Sequence, residues 1–128
     1  ALPGDGRVVA VVLDMKPGWH INPDAGRTAE SLIPTSVDAS AAAGVLQVGP
    51  PQFPEPTQVT VPYPEEGSRI LAYETRAVIF VPVSVAAGAQ PGEAAMTLTV
   101  QYQACNDQVC LPPKTVKIDL PLRIVAQG

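Results

Sequence analysis

Long apolar runs and clusters of basic residues are both absent from this 128-residue sequence. Without a run of about 18 or more apolar residues, no helix of this chain is expected to span a bilayer. The net charge is −4, and the 8 Lys and Arg residues are scattered. Because proteins that bind phosphate backbones neutralise them with grouped basic side chains, no nucleic-acid partner is expected.

Metal-ligating side chains are also scarce, since the chain has only 2 cysteines and 1 histidine. A structural zinc site takes about four Cys or His ligands, so none is expected here. Copper handling by reduced thiols stays open as a weak alternative, because thiolates suit Cu(I) but Met15 and Met96 lie far from the cysteines in sequence. We predict no cofactor and no metal.

Proline and glycine, in contrast, are abundant, with 15 and 10 residues. They separate valine-rich runs, a pattern typical of an all-β domain with many turns. The chain is long enough for one domain with its own core. We therefore predict a single all-β domain over residues 1–128. Because the sequence begins at Ala1 without a signal peptide, we interpret it as a processed or excised fragment.

Apolar alternation and turn signals predict about seven to nine strands at the spacing of a β-sandwich. Three segments are predicted to differ from regular central strands. Leu32–Thr35 is expected to be an edge strand because Pro34 cannot donate to a ladder. Asp38–Ala43 is expected to form a helical turn closed by Gly44. Glu65–Leu71 is expected to be a loop.

Both cysteines lie in one stretch, Gln101–Pro113, between two alternating segments around Met96–Ala104 and Val116–Ile124. Two half-buried strands with a short connection predict a hairpin or a turn between sheets. Cys105 and Cys110 bracket this connection, so their Cα atoms could approach to the ~4.4–6.8 Å that a disulfide needs.

Such a pair has two interpretations. A disulfide that closes six residues stabilises a fold by only about 2 kcal/mol in the chain-entropy estimate. Alternatively, the pair performs thiol–disulfide exchange, which needs bonding distance and one accessible sulfur. The loop contains no Lys, Arg or His to lower a thiol pKa, and Asp107 would raise it. Spacing alone favours the structural disulfide and leaves exchange open.

The cysteine segment, Tyr102-Gln103-Ala104-Cys105-Asn106-Asp107-Gln108-Val109-Cys110-Leu111-Pro112-Pro113, resembles the redox segment of the N-terminal periplasmic domain of DsbD-type thiol:disulfide interchange proteins. An early signature of that family resembles two segments of this chain, Gly18–Asn22 and Leu32–Thr35. The middle part of the family's sequence resembles Tyr73-Glu74 and the following strand with Pro82-Val83. The resemblance runs across nearly the whole chain, and Cys-x4-Cys-Leu-Pro-Pro is its most specific part.

The resemblance implies an immunoglobulin-like β-sandwich with Cys105 and Cys110 as the catalytic redox pair, Cys110 being the one joined to partners. It implies a protein-disulfide reductase that is membrane-anchored and presents this domain, as a monomer, to the periplasm. Reducing equivalents would come from a thioredoxin-like domain of the same protein, which is reduced through a membrane-embedded domain. They would pass to periplasmic thiol proteins such as disulfide isomerases and cytochrome c maturation thioredoxins.

The family also covers its disulfide with an aromatic cap loop, and the matching stretch here is roughly Glu65–Tyr73. It contains no Phe-Tyr-Gly, and Ile70, Leu71 and Tyr73 are the candidate covering residues. Tyr102 either flanks the redox site or packs in the core.

Two further side chains carry expectations of their own. Trp19 is expected to be a core anchor. His20 is expected to be a hydrogen-bonded structural histidine rather than an acid–base group. The rival to the exchange function as a whole is a non-catalytic immunoglobulin-like binding module with an inert disulfide.

Overall fold

The computed structural model describes residues 4–27, 32–41, 44–62 and 66–125, and these ranges contain ten strands and one short 3-10 helix at Ala25–Arg27. The strands are β1 (Gly6–Asp14), β2 (His20–Ile21), β3 (Ser36–Ala41), β4 (Leu46–Val48), β5 (Thr57–Val61), β6 (Ser68–Glu74), β7 (Arg76–Val85), β8 (Gly92–Tyr102), β9 (Ala104–Cys105) and β10 (Lys114–Ile124). No helix of the described ranges is long and apolar enough to cross a membrane.

Two three-stranded antiparallel sheets, in the orders β1-β7-β4 and β10-β8-β3, form the body of the domain. Side chains alternate between the two faces of a strand, and β7 shows this directly, since Ala77, Ile79, Val81, Val83 and Val85 are all buried. They pack against Met96, Leu98 and Val100 of β8, which alternate in the same way. The main core is therefore a β-sandwich interior, as the valine-rich runs predicted.

A third sheet, in the order β5-β6-β2-β9, lies at one end. Two of its strands continue strands of the body: β6 runs into β7 through Thr75, and β8 runs into β9 through Gln103. Thr75 has a φ of 67°, a left-handed conformation that non-glycine residues seldom adopt and that here separates the two strands. Strands from both body sheets thus converge on the end sheet, and β9 brings Cys105 there.

Three local predictions are wrong. Leu32–Thr35 is irregular and the strand begins only at Ser36, whose strand β3 pairs with β8. β3 continues to Ala41 where a helical turn was expected, and residues 42 and 43 lie outside the described ranges. Pairing with β8 supplies the backbone hydrogen bonds, so tertiary context overrides the local helical preference.

The predicted loop over Glu65–Leu71 is likewise wrong in its second half, because β6 begins at Ser68 and pairs with β5 and β2. Because the strand begins with the polar residues Ser68 and Arg69, its sequence lacks the apolar alternation that would predict its start. Residues 63–65 lie outside the described ranges.

Candidate functional site: the disulfide hairpin

Cys105 and Cys110 form a disulfide, and they face each other across a tight antiparallel hairpin. The amide of Asn106 donates to the carbonyl of Val109 at 2.9 Å, and the amide of Leu111 donates to the carbonyl of Ala104 at 2.9 Å. These two bonds flank the cysteines, which are therefore a non-hydrogen-bonded pair, the type in which opposite Cα atoms approach most closely. Their Cα atoms lie 4.0 Å apart. The predicted hairpin and the predicted bond between the cysteines are both present.

The turn of this hairpin is organised by one side chain. The carboxamide oxygen of Asn106 accepts hydrogen bonds from the amides of Gln108 and Val109, each at 2.8 Å. This is the Asx-turn pattern, in which a short polar side chain replaces a backbone partner. The four residues between the cysteines therefore have a defined conformation without a glycine or a proline.

We expect Asn106→Ala to loosen the turn, with a loss of stability of about 1 kcal/mol because two hydrogen bonds disappear at an accessible position. The midpoint of urea unfolding and the hydrogen exchange of the Val109 amide would measure this. Asp107→Ala is the matched control, since Asp107 is an exposed neighbour in the same turn. Equal exchange rates at Val109 in the wild type and in Asn106→Ala would contradict the prediction.

The two sulfurs differ in their surroundings. Cys105 has 1% of its surface exposed, whereas Cys110 lies on the outer strand of the hairpin and is partly exposed. Val109 and Leu111, on either side of Cys110, are 47% and 44% exposed. A partner can therefore approach the disulfide from the side of Cys110 across an apolar rim.

A polar network, buried at Asn22 and Thr35 and partly exposed at Gln103, ties the base of the hairpin to the rest of the domain. The Asn22 Nδ2 atom donates to the Ile33 carbonyl at 2.8 Å and to the Gln103 Oε1 atom at 3.2 Å. Gln103 Oε1 also accepts from the Ile33 amide, and the Thr35 hydroxyl donates to the Asn22 carbonyl. Residues 32–35 thus form an irregular segment held by side chains. The sequence contained no signal for this role beyond the polar character of Asn22, Thr35 and Gln103.

His20 lies directly opposite Cys105, because β2 pairs with β9 in that register. It is 3% exposed, and its Nε2 atom has no hydrogen-bond partner among the described residues. The expectation of a hydrogen-bonded histidine is therefore wrong for this nitrogen. Burial lowers the pKa of His20, while the carboxylates of Glu74 and Asp107 act in the opposite direction.

Tyr102 packs against both apolar clusters of the domain and lines a cleft of about 360 Å³. The same cleft is lined by Trp19, Ala104 and Leu111. Ala104 and Leu111 are the immediate neighbours of the two cysteines, so Tyr102 lies near the hairpin and also packs in the core. Trp19 is half-buried at the surface of this cleft rather than a fully buried anchor.

The candidate cap residues lie on β6. Tyr73 is buried against Ile21 and Ala77, and its hydroxyl donates to Asp24 at 3.0 Å. Strand alternation places the Tyr73 side chain on the face opposite Glu74, which shares its face with the cysteines. Leu71 is exposed and Ile70 is partly exposed, and these two residues pair with Gln58 and Val59. Their covering role stays a prediction.

No group of three His, Cys, Asp or Glu residues within the described ranges is placed to hold a metal ion. The arrangement offers a different chemistry, namely a disulfide between one buried and one partly exposed cysteine at the end of a β scaffold. The fold and the site together define an immunoglobulin-like β-sandwich with a disulfide hairpin at its rim.

Residues 1–122 match the family described as "Thiol:disulfide interchange protein DsbD, N-terminal", and the chain belongs to that family. The resemblance inferred from the cysteine segment is thereby confirmed, as is the immunoglobulin-like fold. The family implies a thiol:disulfide interchange role and interaction with thioredoxin-like proteins in general.

Two solved structures share the fold. The reduced DsbD N-terminal domain of Neisseria meningitidis is 20% identical with a TM-score of 0.53, covering 89% of this chain and 76% of that one. A family 123 glycoside hydrolase from Clostridium perfringens is 10% identical with a TM-score of 0.55, covering 99% of this chain and 22% of that one. At these identities each likeness concerns the fold alone. No curated protein sequence matches the chain significantly.

Proposed function

We propose that this domain passes reducing equivalents from a thioredoxin-like domain to periplasmic thiol proteins through Cys105 and Cys110. The observation that carries the proposal is the asymmetry of the disulfide, with Cys105 buried and Cys110 partly exposed. Exchange needs one sulfur that a partner can reach and a second that can leave and later return. This asymmetry supports Cys110 as the sulfur attacked by partners and Cys105 as the leaving and resolving sulfur.

Reduction of the domain would proceed in two steps. A thiolate of the donor attacks the Cys110 sulfur, the bond between Cys105 and Cys110 breaks, and Cys105 leaves as a thiolate. The second donor thiolate then attacks the donor's own sulfur in the mixed disulfide, and Cys110 leaves as a thiolate. Two electrons have moved from the donor dithiol to the domain, and the donor has become a disulfide. The same steps in reverse reduce an acceptor.

The rim around Cys110 supports a protein as the reaction partner. Val109 and Leu111 are exposed apolar residues, and Pro112 and Pro113 continue the same exposed segment. Contiguous exposed apolar surface is typical of interaction sites. Tyr102 and Trp19, which line the adjoining cleft, are proposed to flank the site. Ile70, Leu71 and Tyr73 remain the proposed cap residues on the strength of the family resemblance, and Tyr73 would first have to leave its buried position on the face opposite the cysteines.

We further propose that residues 1–128 are one monomeric domain of a larger protein-disulfide reductase anchored in the inner membrane, with this domain on the periplasmic side. The proposed donor is the C-terminal thioredoxin-like domain of the same protein. The proposed acceptors are periplasmic disulfide isomerases and the thioredoxins of cytochrome c maturation. Family membership supports this assignment.

The test uses a thioredoxin-fold protein that retains only its first active-site cysteine, activated as a mixed disulfide with thionitrobenzoate. Cys105→Ala leaves Cys110 as the single thiol and is expected to displace thionitrobenzoate and form a covalent complex. Cys110→Ala is the matched control and leaves only the buried Cys105, which is expected to react far more slowly. Capture through Cys105 instead of Cys110 would overturn the assignment of roles.

A second measurement separates enzymatic exchange from mere accessibility. The oxidised wild-type domain is mixed with a reduced thioredoxin-fold protein or, separately, with dithiothreitol at equal thiolate concentration. We expect the protein to reduce the disulfide at least about tenfold faster, since docking orients the attacking sulfur. Equal rates would mean that no docking takes place, and the exchange function would fail.

A further inference from the structure

Four residues form one row across the end sheet. Glu74 of β6 pairs with His20 of β2, His20 pairs with Cys105 of β9, and Cys105 pairs with Cys110. Residues directly opposite each other in antiparallel strands share a face, with Cβ atoms about 4.5–5.5 Å apart. The His20 side chain therefore lies next to Cys105, on the same face as the disulfide.

The hairpin itself offers no positive charge to stabilise a thiolate on Cys105. Asn106, Asp107, Gln108 and Val109 provide no cation, and the carboxylate of Asp107 opposes a second negative charge. Cys105 is also buried, and burial disfavours its charged form. Yet Cys105 must carry the negative charge when a partner bonds to Cys110. A hydrogen-bond donor on the neighbouring strand would stabilise a leaving sulfur in this position.

His20 is placed to be that donor. It is buried, and no described residue makes a hydrogen bond to its Nε2 atom, although buried polar atoms are rarely left without a partner. The charged groups that act on His20 are Glu74 on β6 and Asp107 in the hairpin, and Cys105 faces it from β9. Both carboxylates favour a protonated imidazole, whereas burial opposes it.

We infer that His20 is the proton carrier of Cys105, donating a hydrogen bond to its thiolate when it leaves and accepting its proton when it attacks. The inference rests on the proposed exchange function and names a further residue for it. When a partner thiolate bonds to Cys110, the Cys105 thiolate forms beside the imidazole, and one proton from solvent is then shared between the two. In the reverse reaction the imidazole takes this proton, and the Cys105 thiolate attacks the mixed disulfide and expels the partner as a thiolate.

The first test is a titration of the wild-type domain by NMR, oxidised and then reduced with dithiothreitol. Because His20 is the single histidine, its imidazole signals need no assignment. In the oxidised domain we expect the pKa of His20 to lie below its ordinary value, because burial disfavours the cation. On reduction we expect this pKa to rise, since a thiolate forms next to the ring. An identical titration in both redox states would overturn the inference.

The second test is the rate of reduction of the disulfide by dithiothreitol in His20→Gln. We expect reduction to slow by about tenfold, because a hydrogen bond to a charged group is lost in the step that releases Cys105. Thr97→Val is the control: it also removes a side-chain hydrogen bond, from the Thr97 hydroxyl to Asp119, but lies on β8 in a body sheet, outside the row and outside the network at the base of the hairpin. If the rate of disulfide reduction fell equally in both variants, the role of His20 would be structural only.

Neither test involves a protein partner, so the two proposals can fail separately. If the titration is coupled to the redox state but no thioredoxin-fold protein is captured, the exchange function fails and the pairing of His20 with Cys105 stands. If capture succeeds and the titration is unchanged on reduction, the exchange function stands and His20 has no part in it.

Discussion

Replacing both cysteines with alanine is expected to abolish disulfide exchange completely while the domain stays folded. The main core lies between the two body sheets, around Ile79, Val81 and Met96, and the disulfide is outside it. A disulfide that closes six residues contributes only about 2 kcal/mol in the chain-entropy estimate. Alanine suits the test because Cys105 is buried, and a serine hydroxyl there would need a hydrogen-bond partner.

Urea unfolding would give the stability of Cys105→Ala/Cys110→Ala, and coupled reduction by a thioredoxin-fold protein would give its activity. The oxidised wild type serves as the reference for both. Unchanged activity of this double variant would favour the rival interpretation, an immunoglobulin-like binding module with an inert bond. The reduction potential of the disulfide also distinguishes the two interpretations. A value below about −300 mV is usual for structural disulfides and would favour the inert bond, whereas a higher value would favour exchange.

Asn22→Ala is expected to destabilise the domain and to loosen the hairpin while leaving the disulfide itself intact. It removes the hydrogen bonds from Asn22 Nδ2 to the Ile33 carbonyl and to Gln103 Oε1, in a fully buried position. Leaving buried groups without partners costs about 1–3 kcal/mol each. Gln103 also donates to the Leu111 carbonyl at 3.4 Å, so the loss reaches the strand that follows Cys110.

The measurement is chemical unfolding together with hydrogen exchange at the Leu111 amide, which is bonded to the Ala104 carbonyl. We expect a loss of about 2 kcal/mol and faster exchange at Leu111. Gln47→Ala is the control, because Gln47 is exposed on β4 in a body sheet and its carboxamide oxygen accepts a hydrogen bond from the Ser84 hydroxyl at 3.4 Å. A change in Asn22→Ala no larger than in the control would mean that the network does not hold the hairpin.

Strong local patterns allowed most of the body of the fold to be predicted. The continuous apolar runs of β1 and β7 and the alternation in β8 and β10 each specify a strand without reference to the rest of the chain. The segments predicted wrongly lack such patterns. β3 is a mixture of small and polar residues and becomes a strand only because β8 offers it partners. β6 begins with Ser68 and Arg69 and depends on β5 and β2 in the same way.

In the site, too, features formed by neighbouring residues could be predicted, and features formed by distant residues could not. Cys105, Cys110 and the turn between them are local, so their bond could be foreseen from six consecutive residues. Asn22 and Gln103 are 81 positions apart, and the sequence contains no signal that they meet. His20 is further still from Cys105, and its place opposite that cysteine follows from the register of two strands of two residues each.

The sequence by itself determined the all-β class, the disulfide hairpin and the family, because each of these depends on residues that are neighbours along the chain. Only the tertiary structure decided which sulfur is buried, what holds the hairpin in place and which side chain faces Cys105. Those features depend on strand pairing between distant segments, and a shift of one residue in register would turn His20 to the opposite face of the sheet.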